Sequence, residues 1–209
     1  MRPRSLRTAA AWLGFYAGIL GLQHGIFEIL QGNTAPDGLL INAIGPPCQP
    51  DQVWHACFPA LTVVPNLMLS GILAVLVSGV ILVFALRSWK GKFNPTLIFI
   101  FSIGLLLIGG GFVPVYWSML AGGAGWIHRR KNPAGNQPAR RRAGFLARFW
   151  PGAMILSMIW LAASWILGYF LGDLLLNYGS LFFLFFDLLL PALILASAAA
   201  RSIITSPGN

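Results

Sequence analysis

The run PTLIFIFSIGLLLIGGGFVPVYWSMLAGGAGWI, Pro95 to Ile127, decides the fold. It reads either as one long apolar helix or as two short ones. Gly109, Gly110 and Gly111, followed by Pro114, interrupt it near the middle. Glycine and proline are poor helix formers, so the interruption is a natural place for a turn. Each half then has about 16 residues, short of the roughly 20 that a full membrane crossing prefers.

Charge chooses between the two readings. Lys and Arg of membrane proteins stay on the cytoplasmic side. If the run crosses twice, all 14 basic residues fall on one side: Arg2, Arg4, Arg7, Arg87, Lys90, Lys92, Arg129, Arg130, Lys131, Arg140, Arg141, Arg142, Arg148 and Arg201. If it crosses once, the loop 128–148 and the C-terminus change sides, and the split becomes six against eight. Two crossings are therefore expected. The predicted architecture is an all-α polytopic membrane bundle of six transmembrane segments, with both termini cytoplasmic. The segments are approximately 9–30, 60–86, 95–110, 112–127, 149–171 and 180–200. The third and fourth are short and are also compatible with a re-entrant hairpin.

Composition agrees. The chain of 209 residues is 57% hydrophobic and only 9% charged, where a soluble domain carries about 25% charged residues. Its mean hydropathy is +0.75. The apolar runs are continuous rather than alternating, which argues against a membrane β-barrel. All of 1–209 is read as one transmembrane domain in a prokaryotic plasma membrane. The start MRPRSLRT precedes an apolar run too long for a signal peptide, with no small-residue cleavage site after it, so a retained first helix is expected. The net charge of +9 is read as topological, with lipid rather than nucleic acid as the partner. The basic loop 128–148 is first a topology anchor. Its alternative role is contact with anionic headgroups or a cytoplasmic partner.

Polar residues inside this apolar chain are the candidates for function. In the first segment Gly14, Gly18, Gly21 and Gly25 fall within about 60 degrees of one another on a helix. Such small-residue stripes let helices approach closely in lipid. His24 and Glu28 flank that stripe and are i,i+4 neighbours, so their side chains can meet. In the second segment Asn66, Ser70 and Ala74 follow at helical spacing. In the last, Asp187 stands alone in FFLFFDLLLPALIL, about 12 Å from the outer end. An unpaired aspartate at such depth costs ~2.5–3.5 kcal/mol on insertion scales. His24 is the one basic side chain expected near that level. The candidate cluster is thus His24, Glu28, Asn66 and Asp187, opening outward to bind a solute or relay a proton. The alternative is a structural network that ties three helices together. Pro191 cannot donate a hydrogen bond to the carbonyl of residue 187, so the helix is expected to bend or loosen there.

The outer loop 31–58 holds CQPDQVWHAC, with Cys48 and Cys57. Two cysteines on an extracytoplasmic face favour a disulfide. Free thiols, or a zinc site with His55, are the alternatives, the latter without a recognised spacing. The nucleotide-binding Gly-x-x-x-x-Gly-Lys loop is absent, as are His-Glu-x-x-His and Gly-x-Ser-x-Gly. No cofactor, metal or catalytic set is expected, and an enzymatic role is disfavoured. Small-solute or proton-linked transport is the leading expectation. A non-catalytic accessory or assembly subunit of a larger membrane complex is second, and a lipid-modifying membrane enzyme third.

The phrases GIFEILQGN, ALTVVPNLMLSGILAVLVSG and LLLIGGGFVP resemble a group of small multi-pass prokaryotic membrane proteins. The resemblance covers roughly the first 125 residues. It implies a multi-pass membrane fold and carries no activity, ligand or catalytic residue. In outline, six helices with a long first outer loop also resemble the substrate-binding subunits of vitamin-uptake transporters, an analogy of architecture alone.

Overall fold

The computed structural model describes residues 4–43, 58–89, 94–129 and 137–205. Cys48, His55 and Cys57 lie outside these residues, and so does the disulfide expected between the cysteines. The described chain is helical apart from a two-stranded antiparallel ribbon, β1 (Leu40–Asn42) and β2 (Pro59–Leu61), with Ile41 opposite Ala60. The helices are α1 (Arg4–Leu30), α2 (Leu67–Trp89), α3 (Pro95–Leu107), α4 (Phe112–Arg129), α5 (Gln137–Ala147), α6 (Trp150–Phe170), α7 (Gly172–Asn177), α8 (Gly179–Phe182) and α9 (Leu190–Thr205). A π-helical segment, Phe183–Leu189, joins α8 to α9.

Four stretches are long and apolar enough to cross a membrane: Arg4–Leu30, Leu67–Ser88, Ala143–Phe170 and Gly179–Thr205. The decisive run is two helices. α3 has 13 residues and α4 has 18, or about 20 Å and 27 Å of helix at ~1.5 Å per residue. They pack against each other as a hairpin. Its turn needs glycine, because Gly109 and Gly111 have φ of +82° and +81°, a region that side chains with a Cβ rarely enter. Gly110 N–H closes the turn on the Leu105 carbonyl at 2.9 Å.

α1 is the hub, packed on α2, α4, α6 and α9. Its glycine stripe forms the antiparallel contact with α2. Gly14 meets Ala85, Gly18 meets Leu82, Gly21 meets Ser78, and Gly25 meets Gly71 and Val75. A methyl group on Gly25 would stand 2.8 Å from the Gly71 carbonyl oxygen, so the backbones touch where neither residue has a side chain. On the other side of α1, Tyr16 stacks on Trp117 of α4 at 3.7 Å. The Trp12 indole donates to Ser157 Oγ of α6 at 2.7 Å.

Two expected boundaries are corrected. The second segment begins at Leu67, not at 60, because residues 59–61 form β2 and Asn66 caps the helix. Pro65 and the β-branched Thr62, Val63 and Val64 favour extended chain over helix at this point. The basic stretch 128–148 is not all loop. α5 forms within it, and Ala143 and Ala147 pack against Ala200 and Ile203 of α9. Alanine, arginine and leucine are strong helix formers, and the α9 surface supplies the packing that a helix this short needs.

Charge is segregated along the bundle. Ser5 of α1 donates to the Ala198 carbonyl of α9 at 3.0 Å, and Arg140 of α5 reaches the Ile204 carbonyl at 3.4 Å. α2 and α4 both run antiparallel to α1, which brings Arg87 and Arg129 to the end where α1 starts. The opposite end carries the ribbon, the α3–α4 turn, Glu28 and Asp37.

Candidate functional site

Glu28 and His24 lie one above the other near the end of α1, with His24 Nε2 3.4 Å from Glu28 Oε1. Both are inside the protein: Glu28 is 0% exposed and His24 4%. The α3–α4 turn seals them. A methyl group on Gly109 would press against both Glu28 carboxylate oxygens and Ser70 Oγ, and one on Gly111 would lie 3.0 Å from His24 Nδ1. Glycine therefore brings backbone directly onto the pair.

The turn is held in place by the stretch from β2 to the start of α2. Val63 N–H donates to the Leu107 carbonyl and Gly109 N–H to the Leu61 carbonyl, each at 2.9 Å. Ser70 Oγ donates to the Ile108 carbonyl at 2.8 Å and stands 2.8 Å from Thr62 Oγ1. The turn over Glu28 is thus stitched to β2 and the residues that follow it. Despite this crowding, His24 and Ser70 stand beside Glu28 without either giving its two oxygens a well-aligned hydrogen bond.

Just beyond Glu28, Gln31 Nε2 donates to the Asn42 carbonyl at 3.1 Å, tying α1 to the ribbon. Gln31 also lines a cleft of about 480 Å³ with Thr34, Asp37, Leu40, Asn42 and Leu67. This cleft lies at the acidic end of the bundle, less than a full helical turn from Glu28.

The four residues predicted as one cluster separate into three places. His24 and Glu28 meet. Asn66 instead caps α2, its Oδ1 accepting from Leu69 N–H at 2.9 Å, and its amide donates to Asn33 Oδ1. Asp187 lies deeper and 2% exposed, in the π-helical segment. Its backbone carbonyl accepts from Trp117 Nε1 at 3.1 Å, and Tyr16 lies within electrostatic reach of its carboxylate. Tyr16 and Trp117 are eight and six residues from His24 and Gly111 along their own helices, about 9–12 Å. His24 is therefore the neighbour of Glu28 rather than of Asp187. Asp187 Oδ2 has no hydrogen-bond partner among the described residues.

The loosening expected beside Pro191 is present and has a specific form. Leu190 N–H reaches back to the Phe185 carbonyl, one residue further than in an α-helix. The carbonyls of Asp187 and Leu188 are served across the bundle by the Trp117 indole and by the Tyr116 hydroxyl, the latter at 3.2 Å. π-helical turns of this kind often mark functional sites.

Ser70 and Thr62 join the site although no motif singles them out. The signal for Ser70 is in the sequence, since it sits one turn after Asn66 on the same side of α2. Thr62 and the two turn glycines carry no such signal, because they arrive through chain pairing.

No protein-family model, no curated protein and no solved structure matches this chain.

Proposed function

We propose that the protein is a transport component of a prokaryotic plasma membrane, crossing it six times with both termini in the cytoplasm. It moves a small solute, or couples to protons, through the acidic end of the bundle. The observation that carries this reading is the His24–Glu28 pair, buried under a glycine turn and next to an outward cleft. Burying ionisable groups is costly, and within membrane segments such groups mark substrate and ion pathways. Two packed helices would hold together through the glycine stripe alone. Asp187, on its π-helical turn, supplies a second carboxyl further along the same hub helix. The clustering of basic residues at the other end supports the assigned sidedness.

The test is proton uptake into proteoliposomes carrying a pH-sensitive dye, driven by an imposed membrane potential. The wild-type protein should take up protons faster than protein-free vesicles, and Glu28→Gln should fall to the protein-free rate. Equal uptake by wild type and Glu28→Gln overturns the reading.

An accessory-subunit reading draws on a different feature. Leu174, Tyr178, Leu181, Phe182, Phe185 and Phe186 line an apolar groove at the outer end of α7, α8 and the π-helical segment. A helix from a larger complex would fit there. Purification from native membranes with a stoichiometric partner would favour it over transport.

A further inference from the structure

We propose that Glu28, Ser70, Thr62 and the Ile108 carbonyl form a binding site for a monovalent metal cation of the sodium type. This rests on the transport reading and has the metal cation compete with the proton for the same Glu28 carboxylate.

Counting hydrogens leads to it. The Ser70 hydroxyl has one hydrogen and gives it to the Ile108 carbonyl. Thr62 Oγ1 already accepts from Val64 N–H at 3.1 Å. With the Ser70 hydrogen committed, the Thr62 hydroxyl is the donor in the 2.8 Å contact with Ser70 Oγ. Neither hydroxyl then has a hydrogen left for Glu28. His24 Nε2 is 3.4 Å from Oε1, and neither His24 nor Ser70 gives the Glu28 oxygens a well-aligned hydrogen bond. Lone pairs on Glu28 and Ser70 are thus brought to the same buried point beside Gly109. A proton or a cation between them would relieve this, because an unsatisfied buried carboxylate costs far more than a hydrogen bond returns.

A proton on Glu28 would satisfy one oxygen. A metal cation accepts lone pairs from several oxygens at once. The Glu28 carboxylate and the Ser70 hydroxyl converge beside Gly109, the Ile108 carbonyl and the Thr62 hydroxyl are bonded to that same Ser70 oxygen, and oxygen sets of this kind suit hard cations. One carboxylate supplies one compensating charge. Among the described residues no three side chains of the His, Cys, Asp and Glu types converge, so a divalent ion would be left undercompensated. Gly109 contributes by what it lacks, since a methyl group there would fill the space beside the three side-chain oxygens. The approach is suitably acidic: Asp37 lines the cleft, and no Lys or Arg occurs from residue 8 to residue 86. Like-signed clefts raise the local concentration of the oppositely charged ion.

The full-length protein in detergent is titrated with NaCl against choline chloride at fixed pH and ionic strength, and binding of radioactive sodium is measured in parallel. The expected result is saturable sodium binding and a rise in Tm that choline does not produce. Both should be lost in Glu28→Gln and weakened in Ser70→Ala. An identical wild-type Tm in the two salts, with no saturable sodium binding, overturns the site without needing any variant. Stabilisation by acid alone, with proton uptake intact in liposomes, overturns the metal ion and leaves the transport reading standing. Sodium binding without any transport does the reverse.

Discussion

α1 and α6 are both long, apolar helices of one bundle, yet they are buried to very different degrees. The α1 window has a mean hydropathy of 1.3 and is 56% buried, whereas the window containing α6 has 1.8 and is 28% buried. The less apolar helix is the more deeply buried. In water the order would be reversed. In a bilayer the surroundings are as apolar as leucine, so hydrophobicity does not draw one helix onto another. What draws α1 inward is its run of Gly14, Gly18, Gly21 and Gly25, which brings backbones together, and its polar His24 and Glu28, which find partners only inside. α6 offers Ile159 and Phe170, 58% and 73% exposed, to the surroundings. Its contact with α1 runs through Trp12 and Ser157.

Substitutions on the two helices put this contrast at risk. The largest effect is expected for Gly25→Leu. Its side chain would enter the Gly71 backbone and Val75, and overpacking of this kind costs about 3 kcal/mol or more. At Gly152 of α6 an added Cβ meets nothing within 4 Å, so the matching change Gly152→Leu should alter stability by less than about 0.5 kcal/mol. Thermal unfolding and the monodisperse fraction in detergent measure both. Equal effects would remove the distinction between the two helices.

A middle effect is expected for Trp117→Phe. The ring stack on Tyr16 is kept while the indole hydrogen bond to the Asp187 carbonyl is lost. Leaving that carbonyl unsatisfied should cost about 1–3 kcal/mol, read as a lower unfolding midpoint. A small stability change is expected for Asp187→Asn, which keeps shape and hydrogen-bonding capacity. It should stay within about 1 kcal/mol of wild type, yet lose proton uptake in liposomes. An Asp187→Asn protein with full uptake would confine the charge-dependent chemistry to Glu28.

Much of the contrast between α1 and α6 is legible in the residues themselves. The i,i+4 spacing of His24 and Glu28 implies their contact, and the glycine spacing implies a close helix partner. The opened helix beside Asp187 follows from Pro191, because the missing N–H is a local fact. Asn66 is ambiguous for an equally physical reason. An asparagine just after Pro65 serves equally well on a helical face or as the cap of a helix that starts after it. Only the pairing of residues 61–63 with the α3–α4 turn decides for the cap. The helix α5 is hidden in a basic stretch because its support comes from α9, more than 50 residues away.

Three properties follow from the order of residues: the chain has stretches able to cross a membrane, its basic residues gather in a few short stretches between the apolar runs, and the third apolar run turns at its glycines. They rest on length, composition and local backbone chemistry, which act along the chain and need no knowledge of neighbours. The surroundings of Glu28 have a different origin. Ser70, Thr62 and the Ile108–Gly111 backbone come from separate stretches of the chain, and they converge only because α1 and α2 lock at Gly25 and Gly71 while the outer strand pins the turn. The same register sets His24 beside Glu28 and leaves Asp187 to Trp117 and Tyr16. Polar contacts across a bundle depend on how far each helix slides against its neighbour, and that slide is fixed by packing rather than by the order of residues in any one helix.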